Sequence, residues 1–123
     1  MDDGRTAGNG TMLTLEGVLG APDLNERVVM VEAWGGSVRI RGFSKRKQLE
    51  MRRQATVGGK VDEARVEMLM FIGGVVEPEF GEEHYELLMD KSAGAVDAVL
   101  VQILEISGLT KEAQQRASKR FRE

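Results

Sequence analysis

Five glutamates crowd into ten residues of the second half of the chain: Glu77, Glu79, Glu82, Glu83 and Glu86. Paired carboxylates can serve as a general acid and a general base, but only where a buried cleft separates their pKa values. Pro78 predicts a turn here. Gly81 followed by Glu82 predicts a helix start, where acidic side chains suit the positive end of the helix dipole. The pattern therefore favours an exposed acidic surface over a catalytic pair.

Other reactive side chains are scarce. The chain has no cysteine, which excludes disulfides, thiolate nucleophiles and cysteine-based zinc sites. His84 is the only histidine, and we expect it to be exposed on the surface of a helix. The sequence contains no nucleophile elbow, no phosphate-binding loop, no dinucleotide fingerprint and no zinc-protease motif. We expect a protein that is not an enzyme and needs no metal or cofactor.

Basic side chains dominate residues 39–60, which contain one acidic residue and eight basic ones: Arg39, Arg41, Lys45, Arg46, Lys47, Arg52, Arg53 and Lys60. Such a stripe can contact phosphates, so a small nucleic-acid-binding or regulatory protein is one alternative. The net charge of -3 for the whole chain argues against it, as does the presence of only one interleaved aromatic residue, Phe43. Steep salt dependence of binding to random duplex DNA would favour this alternative.

The next block, residues 61–90, reverses the charge, with nine acidic residues and one basic residue. The two blocks can neutralise each other within one chain or between stacked copies. We hypothesise that four arginines of one copy meet four glutamates of a neighbour. These residues are Arg39, Arg41, Arg46 and Arg53 on one side and Glu79, Glu82, Glu83 and Glu86 on the other.

The length of 123 residues, with 41% hydrophobic residues, is enough for one domain. The longest apolar run, residues 68–76, is about half of the roughly 18 residues that a membrane span needs. The acidic, polar start predicts no secretory signal. We divide the chain into a disordered extension at 1–11, a domain at 12–110, and a basic helix or tail at 111–123.

A β-hairpin is the clearest local prediction. Residues 27–34 and 37–41 are rich in β-branched residues and flank Gly35-Gly36, which predicts a two-residue primed turn. In the second strand Val38 and Ile40 share one face, and the arginines beside them share the other. Trp34, next to the turn, is interpreted as a packing anchor.

The helices that follow are predicted from their caps and periodicity. Thr14 caps a short helix over 15–19, and Ser44 caps a basic helix over 45–55. Asp62 or a neighbour begins a buried helix that runs through Ile72 and is stopped by Gly73-Gly74. The remaining predicted helices run from Gly81 to near Asp90, from Ser92 to a cap at Gly108, and over 111–122. The fold class is therefore α+β, a single domain with an N-terminal β-hairpin followed by four to five short helices.

Seven methionines are many for this length. Methionine fills irregular gaps in a core, and it also suits surfaces that bind varied apolar partners. The buried helix carries the apolar run that we interpret as a surface for another protein's apolar segments: Met68, Met70, Phe71 and Ile72. A purely structural role in the core explains the same residues.

Four spaced segments together resemble the small tail assembly chaperones of tailed bacteriophages. The first, residues 29–44, is similar to that family's V-x-V-x-x-W-G-G-x-V-x-V-R-x-L-[ST] hairpin leading into a basic helix. The others are 75–80, similar to its GVVEP turn, 88–96, similar to LLxKSAGAV, and 103–110, similar to ILELSGLT. The resemblance covers about 13–113, and residues 1–11 look like an extension.

The resemblance implies a function that composition alone does not. Such chaperones bind the long, aggregation-prone tape measure protein and keep it soluble while tail tube protein polymerises around it. They commonly form homo-oligomeric rings or spirals. The resemblance thus implies three partners, namely the tape measure protein, the tail tube protein and further copies of the chain, and it implies neither a membrane nor a nucleic acid. It implies action in the host bacterial cytoplasm and absence from the mature virion. A structural tail or connector subunit is a further alternative, which many copies in purified virions would favour.

Overall fold

The structure, a computed structural model, describes residues 11–110. The predicted disordered extension at 1–11 lies outside the described residues except for Thr11, and the predicted final helix over 111–122 lies wholly outside them. The helices are α1 (Leu15–Leu19), α2 (Lys45–Gln54), α3 (Glu63–Gly74), α4 (Tyr85–Met89) and α5 (Ala93–Ile106). The strands are β1 (Glu26–Val31), β2 (Gly36–Arg41), β3 (Thr56–Val57), β4 (Lys60–Val61) and β5 (Val75–Glu77). Short 3₁₀ turns cover Glu32–Trp34 and Glu82–His84.

The main sheet has three antiparallel strands in the order β1-β2-β5, with helices α3 and α5 packed on one face. The α+β class is confirmed, but the hairpin gains a third strand that was not predicted. Residues 75–80 were interpreted as a turn around Pro78, whereas Val75 pairs with Ile40 and Glu77 pairs with Arg39. Three residues are too few to show the alternation of a strand, and their partner lies about 35 residues away in the chain.

The core lies between the sheet and the helices, and Phe71 is at its centre. Its side chain is fully buried, and its ring packs edge-to-face with the rings of Trp34 and Phe80, with centroids 6.2 and 5.5 Å apart. Trp34 is half-buried, which confirms its role as a packing anchor. Val38 and Ile40 face this core while Arg39 and Arg41 face solvent, as the alternation predicted.

The predicted two-residue turn at Gly35-Gly36 is wrong. Val31 pairs with Gly36, so the hairpin loop has four residues, and only Gly35 has a positive φ, +71°. The primed turn occurs instead at Gly58-Gly59, where φ is +58° and +80° between β3 and β4. Two positive φ values are what such a turn requires. From the sequence alone, this second glycine pair indicates only a break after the basic helix.

Four of the predicted helix caps are confirmed by side-chain hydrogen bonds. The helix predicted from Gly81 instead begins as a 3₁₀ turn, and α4 starts at Tyr85. The side chains of Thr14, Ser44, Asp62 and Ser92 each accept a hydrogen bond from a backbone N–H three residues later, at 3.0–3.3 Å. Each cap of this kind contributes about 1 kcal/mol. At the other end of α5, Gly108 has a φ of +71°, and the N–H of Leu109 donates to the carbonyl of Leu104 at 2.9 Å. The N–H of Gly108 also donates to the carbonyl of Glu105, and the two hydrogen bonds together form a Schellman motif.

Helix α3 ends at the Gly73-Gly74 pair, as predicted, and both glycines lie within its last turn. Gly74 also allows close packing against α5. A Cβ built on it would lie 2.7 Å from Cδ1 and 2.8 Å from Cγ2 of the fully buried Ile103. The atom closest to a Cβ on Gly73 would be Cε of the flexible Lys47 side chain, at 3.0 Å, and the Phe43 ring would be in ordinary contact at 3.8 Å.

These two neighbours provide a matched test of packing. Gly74→Ala is expected to lower the free energy of unfolding by about 1–3 kcal/mol, since overpacking outweighs the gain in helix propensity. Gly73→Ala is expected to leave stability unchanged or to raise it by up to about 1 kcal/mol. Urea denaturation of both variants measures the difference, and equal midpoints would contradict this view of the α3–α5 contact.

Candidate protein-interaction surfaces

The four arginines proposed to contact a neighbouring copy are all exposed, but two of them already have partners in their own chain. Nε of Arg39 lies 3.1 Å from Oε1 of Glu77. Arg53 pairs with Glu50 one turn earlier on α2, and its hydrogen bond and charge hold the pKa of the Glu50 carboxyl below its usual value. Within residues 11–110, neither Arg41 nor Arg46 forms an ion pair.

The four glutamates proposed as their counterparts lie around the 3₁₀ turn and α4, and all four are exposed. Across the described part of the chain, none of Glu79, Glu82, Glu83 and Glu86 forms an ion pair. Their charges are therefore directed to solvent. His84, in the middle of this segment, is half-buried rather than exposed as expected. Its Nδ1 accepts a hydrogen bond from the N–H of Gly81 at 2.9 Å, and its ring meets Phe80.

The apolar run proposed to contact another protein's apolar segments lies mostly in the protein interior. Met68 and Phe71 are buried in the core cluster. Met70 is 8% exposed and lines one groove, while Ile72 is half-buried and lines another. The run therefore supplies part of the floor of two separate grooves.

The groove beside Met70, called the methionine groove, lies between α2, β4, α3 and the end of α5 and has a cavity volume of about 200 Å³. Its apolar lining is Met51, Val61, Val66, Met70, Leu104 and Leu109, and its polar rim is Gln48, Arg52 and Glu63. Of these, only Met70 was singled out as a contact residue from sequence. The groove is assembled from segments up to about 60 residues apart, so no local pattern could reveal it.

The second groove, called the basic-rimmed groove, consists of two adjoining depressions of about 240 and 470 Å³ that share Lys47, Gly73 and Val76. Their apolar lining is Leu24, Phe43, Ile72, Val75, Val76 and Phe80. Arg41 and Lys47 provide two positive charges along it, and Glu79 provides a negative charge at one end. The edge strand β5 forms part of its wall.

Apolar side chains are also exposed at the N-terminal end of the described chain. Every residue from 11 to 28 is exposed, including all of α1. The apolar ones in and before α1 are Met12, Leu13, Leu15, Val18 and Leu19. On the outer face of β1, Val28 and Met30 are exposed as well.

Several other kinds of site are not found in residues 11–110. No group of three or more acidic or histidine side chains there is arranged to hold a metal ion. No helix in that range combines the length and the apolar character that crossing a membrane demands. Comparisons with models of protein families, with curated proteins and with solved structures gave no match. The function is therefore inferred from the residue pattern and the geometry of the two grooves.

Proposed function

We propose that this protein is a tail assembly chaperone of a tailed bacteriophage, which binds the tape measure protein and helps to recruit tail tube subunits. The observation that carries the proposal is that four sequence segments similar to that family meet in one packed unit. The hairpin segment contacts the segment at 103–110 directly. The N–H of Phe43 donates to Oγ of Ser107 at 3.0 Å, and a Cβ on Gly42 would lie 2.9 Å from the carbonyl oxygen of Ile106.

The other two segments join the same unit. Val75, from the segment at 75–80, pairs with Ile40 of the hairpin. In the segment at 88–96, Ser92 caps α5, and Ala95 and Val96 enter the core. Motifs far apart in sequence thus cooperate in one fold, which supports a resemblance of the whole domain rather than of isolated peptides.

The methionine groove is the proposed binding site for the tape measure protein, called the client below. A tape measure protein is helical and exposes apolar helix faces, and an amphipathic helix docks in a groove through residues spaced at i, i+3, i+4 and i+7. Met51 and Met70 in the groove floor can adapt to varied apolar side chains. A cavity of about 200 Å³ holds only a short stretch of such a helix. Each contact is then weak and reversible, and repetition along the client provides the avidity.

The test is co-expression with the tape measure protein from the same phage genome. The proposal predicts that the tape measure protein, insoluble when expressed alone, appears in the soluble fraction when this chain is present. An unrelated acidic protein of similar size, expressed at the same level, serves as the control. A tape measure protein that stays insoluble when this chain is present would contradict the proposal.

In the proposed function, ion pairs between arginines of one copy and glutamates of a neighbouring copy contribute to self-association. Reversing Arg46 and Arg53 together to glutamate is expected to lower the oligomer mass at low salt, because opposite charges steer and orient neighbouring copies. Light scattering after size exclusion measures the mass. Arg53→Glu alone is the matched control, since Arg53 already pairs with Glu50 and should contribute less than Arg46. An unchanged mass for the double variant at low salt would exclude this role.

A further inference from the structure

Helix α1 is too short and too exposed to be stable without a partner surface. It has five residues, and isolated helices shorter than about 12 residues are marginal in water. None of its residues is buried. Leu15, Val18 and Leu19 nevertheless recur at i, i+3 and i+4, the spacing by which a helix anchors in an apolar groove. A contiguous apolar patch of this kind marks an interaction site.

The charge around α1 indicates which surface it fits. Helix α1 carries one acidic residue, Glu16, and Asp23 follows it, while residues 11–25 contain no basic residue. Glu26 belongs to β1, where it lies opposite Arg41 of its own chain, so it is not counted with α1. The basic-rimmed groove offers the opposite charge at Arg41 and Lys47, above an apolar floor. The methionine groove has a mixed rim, and on the outer face of β1 the exposed apolar residues Val28 and Met30 lie beside the acidic Glu26.

We propose that α1 of one copy docks in the basic-rimmed groove of a second copy of this chain. In the structure α1 is fully exposed and is not seated in the groove of its own chain. Each copy therefore presents both halves of the contact, a donor helix and an acceptor groove. Such a head-to-tail interface is heterologous, and it generates a ring if the rotation closes and a helical filament if it does not.

This contact is separate from the client site, because the two grooves share no lining residue. Self-association through α1 therefore holds whatever the client is. Its failure would leave client binding in the methionine groove untouched, and failure of the client proposal would leave the α1 contact untouched.

The experiment is light scattering after size exclusion of the full chain and of two variants, each with one half of the contact disabled. Leu15→Asp with Leu19→Asp removes the donor anchors, and Val76→Asp, at a side chain 38% exposed, places a negative charge in the acceptor groove. Each variant alone is expected to self-associate at least about tenfold more weakly than the wild type, since losing one hot-spot contact has an effect of that size. Circular dichroism checks that both remain folded.

Mixing distinguishes this contact from other modes of assembly. An equimolar mixture of the two variants is expected to form a 1:1 dimer that grows no further, because only one intact helix and one intact groove remain. Leu87→Asp, at an exposed side chain outside both grooves, is expected to assemble like the wild type. A monomeric wild-type chain, wild-type assembly by either variant, or a mixture without dimer would overturn the proposal. Loss of assembly on Met30→Asp but not on Val76→Asp would also overturn it, because α1 would then lie on the outer face of β1.

Discussion

Phe71→Ala is expected to lower the free energy of unfolding by about 3–5 kcal/mol, the usual effect of removing a buried phenylalanine ring. The ring has no exposed surface, and its edge contacts with Trp34 and Phe80 join the hairpin loop to the segment before α4. Because small domains are stable by only about 5–15 kcal/mol in total, the variant loses a large part of its stability. Urea denaturation followed by circular dichroism measures the loss.

The adjacent residue provides the control for this prediction. Ile72 is half-buried and lines the basic-rimmed groove, so Ile72→Ala removes fewer core contacts. We expect its effect on stability to be less than half that of Phe71→Ala. Similar losses for the two variants would mean that Phe71 is not at the centre of the core.

Val61→Asp is expected to abolish solubilisation of the tape measure protein while the chain stays folded. Val61 lies on β4 at the wall of the methionine groove and is 39% exposed, so an aspartate there keeps its contact with water in the free protein. When a client helix covers the groove, the carboxylate is desolvated without a partner, which costs several kcal/mol. The readout is the soluble fraction of the tape measure protein on co-expression.

Val57→Asp is the matched control, because Val57 belongs to the same small hairpin but lies outside both grooves and is 65% exposed. It is expected to support solubilisation like the wild type. If both variants solubilise the tape measure protein like the wild type, the client does not bind in the methionine groove. If both fail to solubilise it equally, the substitutions damage the small hairpin rather than the groove.

The sequence predicted the helices well because their caps are local. Ser44, Asp62 and Ser92 are followed by periodic apolar residues, and the cap bonds reach only three residues ahead. The α+β class followed from one alternating strand beside those helices. Strand β5 was missed because its evidence lies in its pairing with β2, not in its own three residues.

The glycine pairs show where local reasoning fails. Gly35-Gly36 and Gly58-Gly59 look equivalent in sequence, yet only the second pair has two positive φ values. Strand register decides the difference, since the pairing of Val31 with Gly36 lengthens the first loop. Gly74 ends α3 as predicted, but the sequence did not reveal its close contact with Ile103, which is 29 residues away.

The grooves were predictable only in part. Met70 and Ile72 were selected from sequence and line one groove each, but Met68 and Phe71 of the same run face the core. A buried helix places neighbouring residues on different sides, and sequence alone does not tell which side remains open. The sequence also did not reveal the ion pair between Arg39 and Glu77, because these residues lie on paired strands that are far apart in the chain.

The most direct measurement of the central claim is native mass spectrometry of the tape measure protein purified from co-expression with this chain. The account predicts one tape measure protein carrying many copies of the chain, because weak sites repeat along an extended client. The same preparation with Val61→Asp should yield no complex. A purified tape measure protein that is soluble without bound copies, or a chain that elutes alone beside an insoluble tape measure protein, would contradict the claim that this protein is its chaperone.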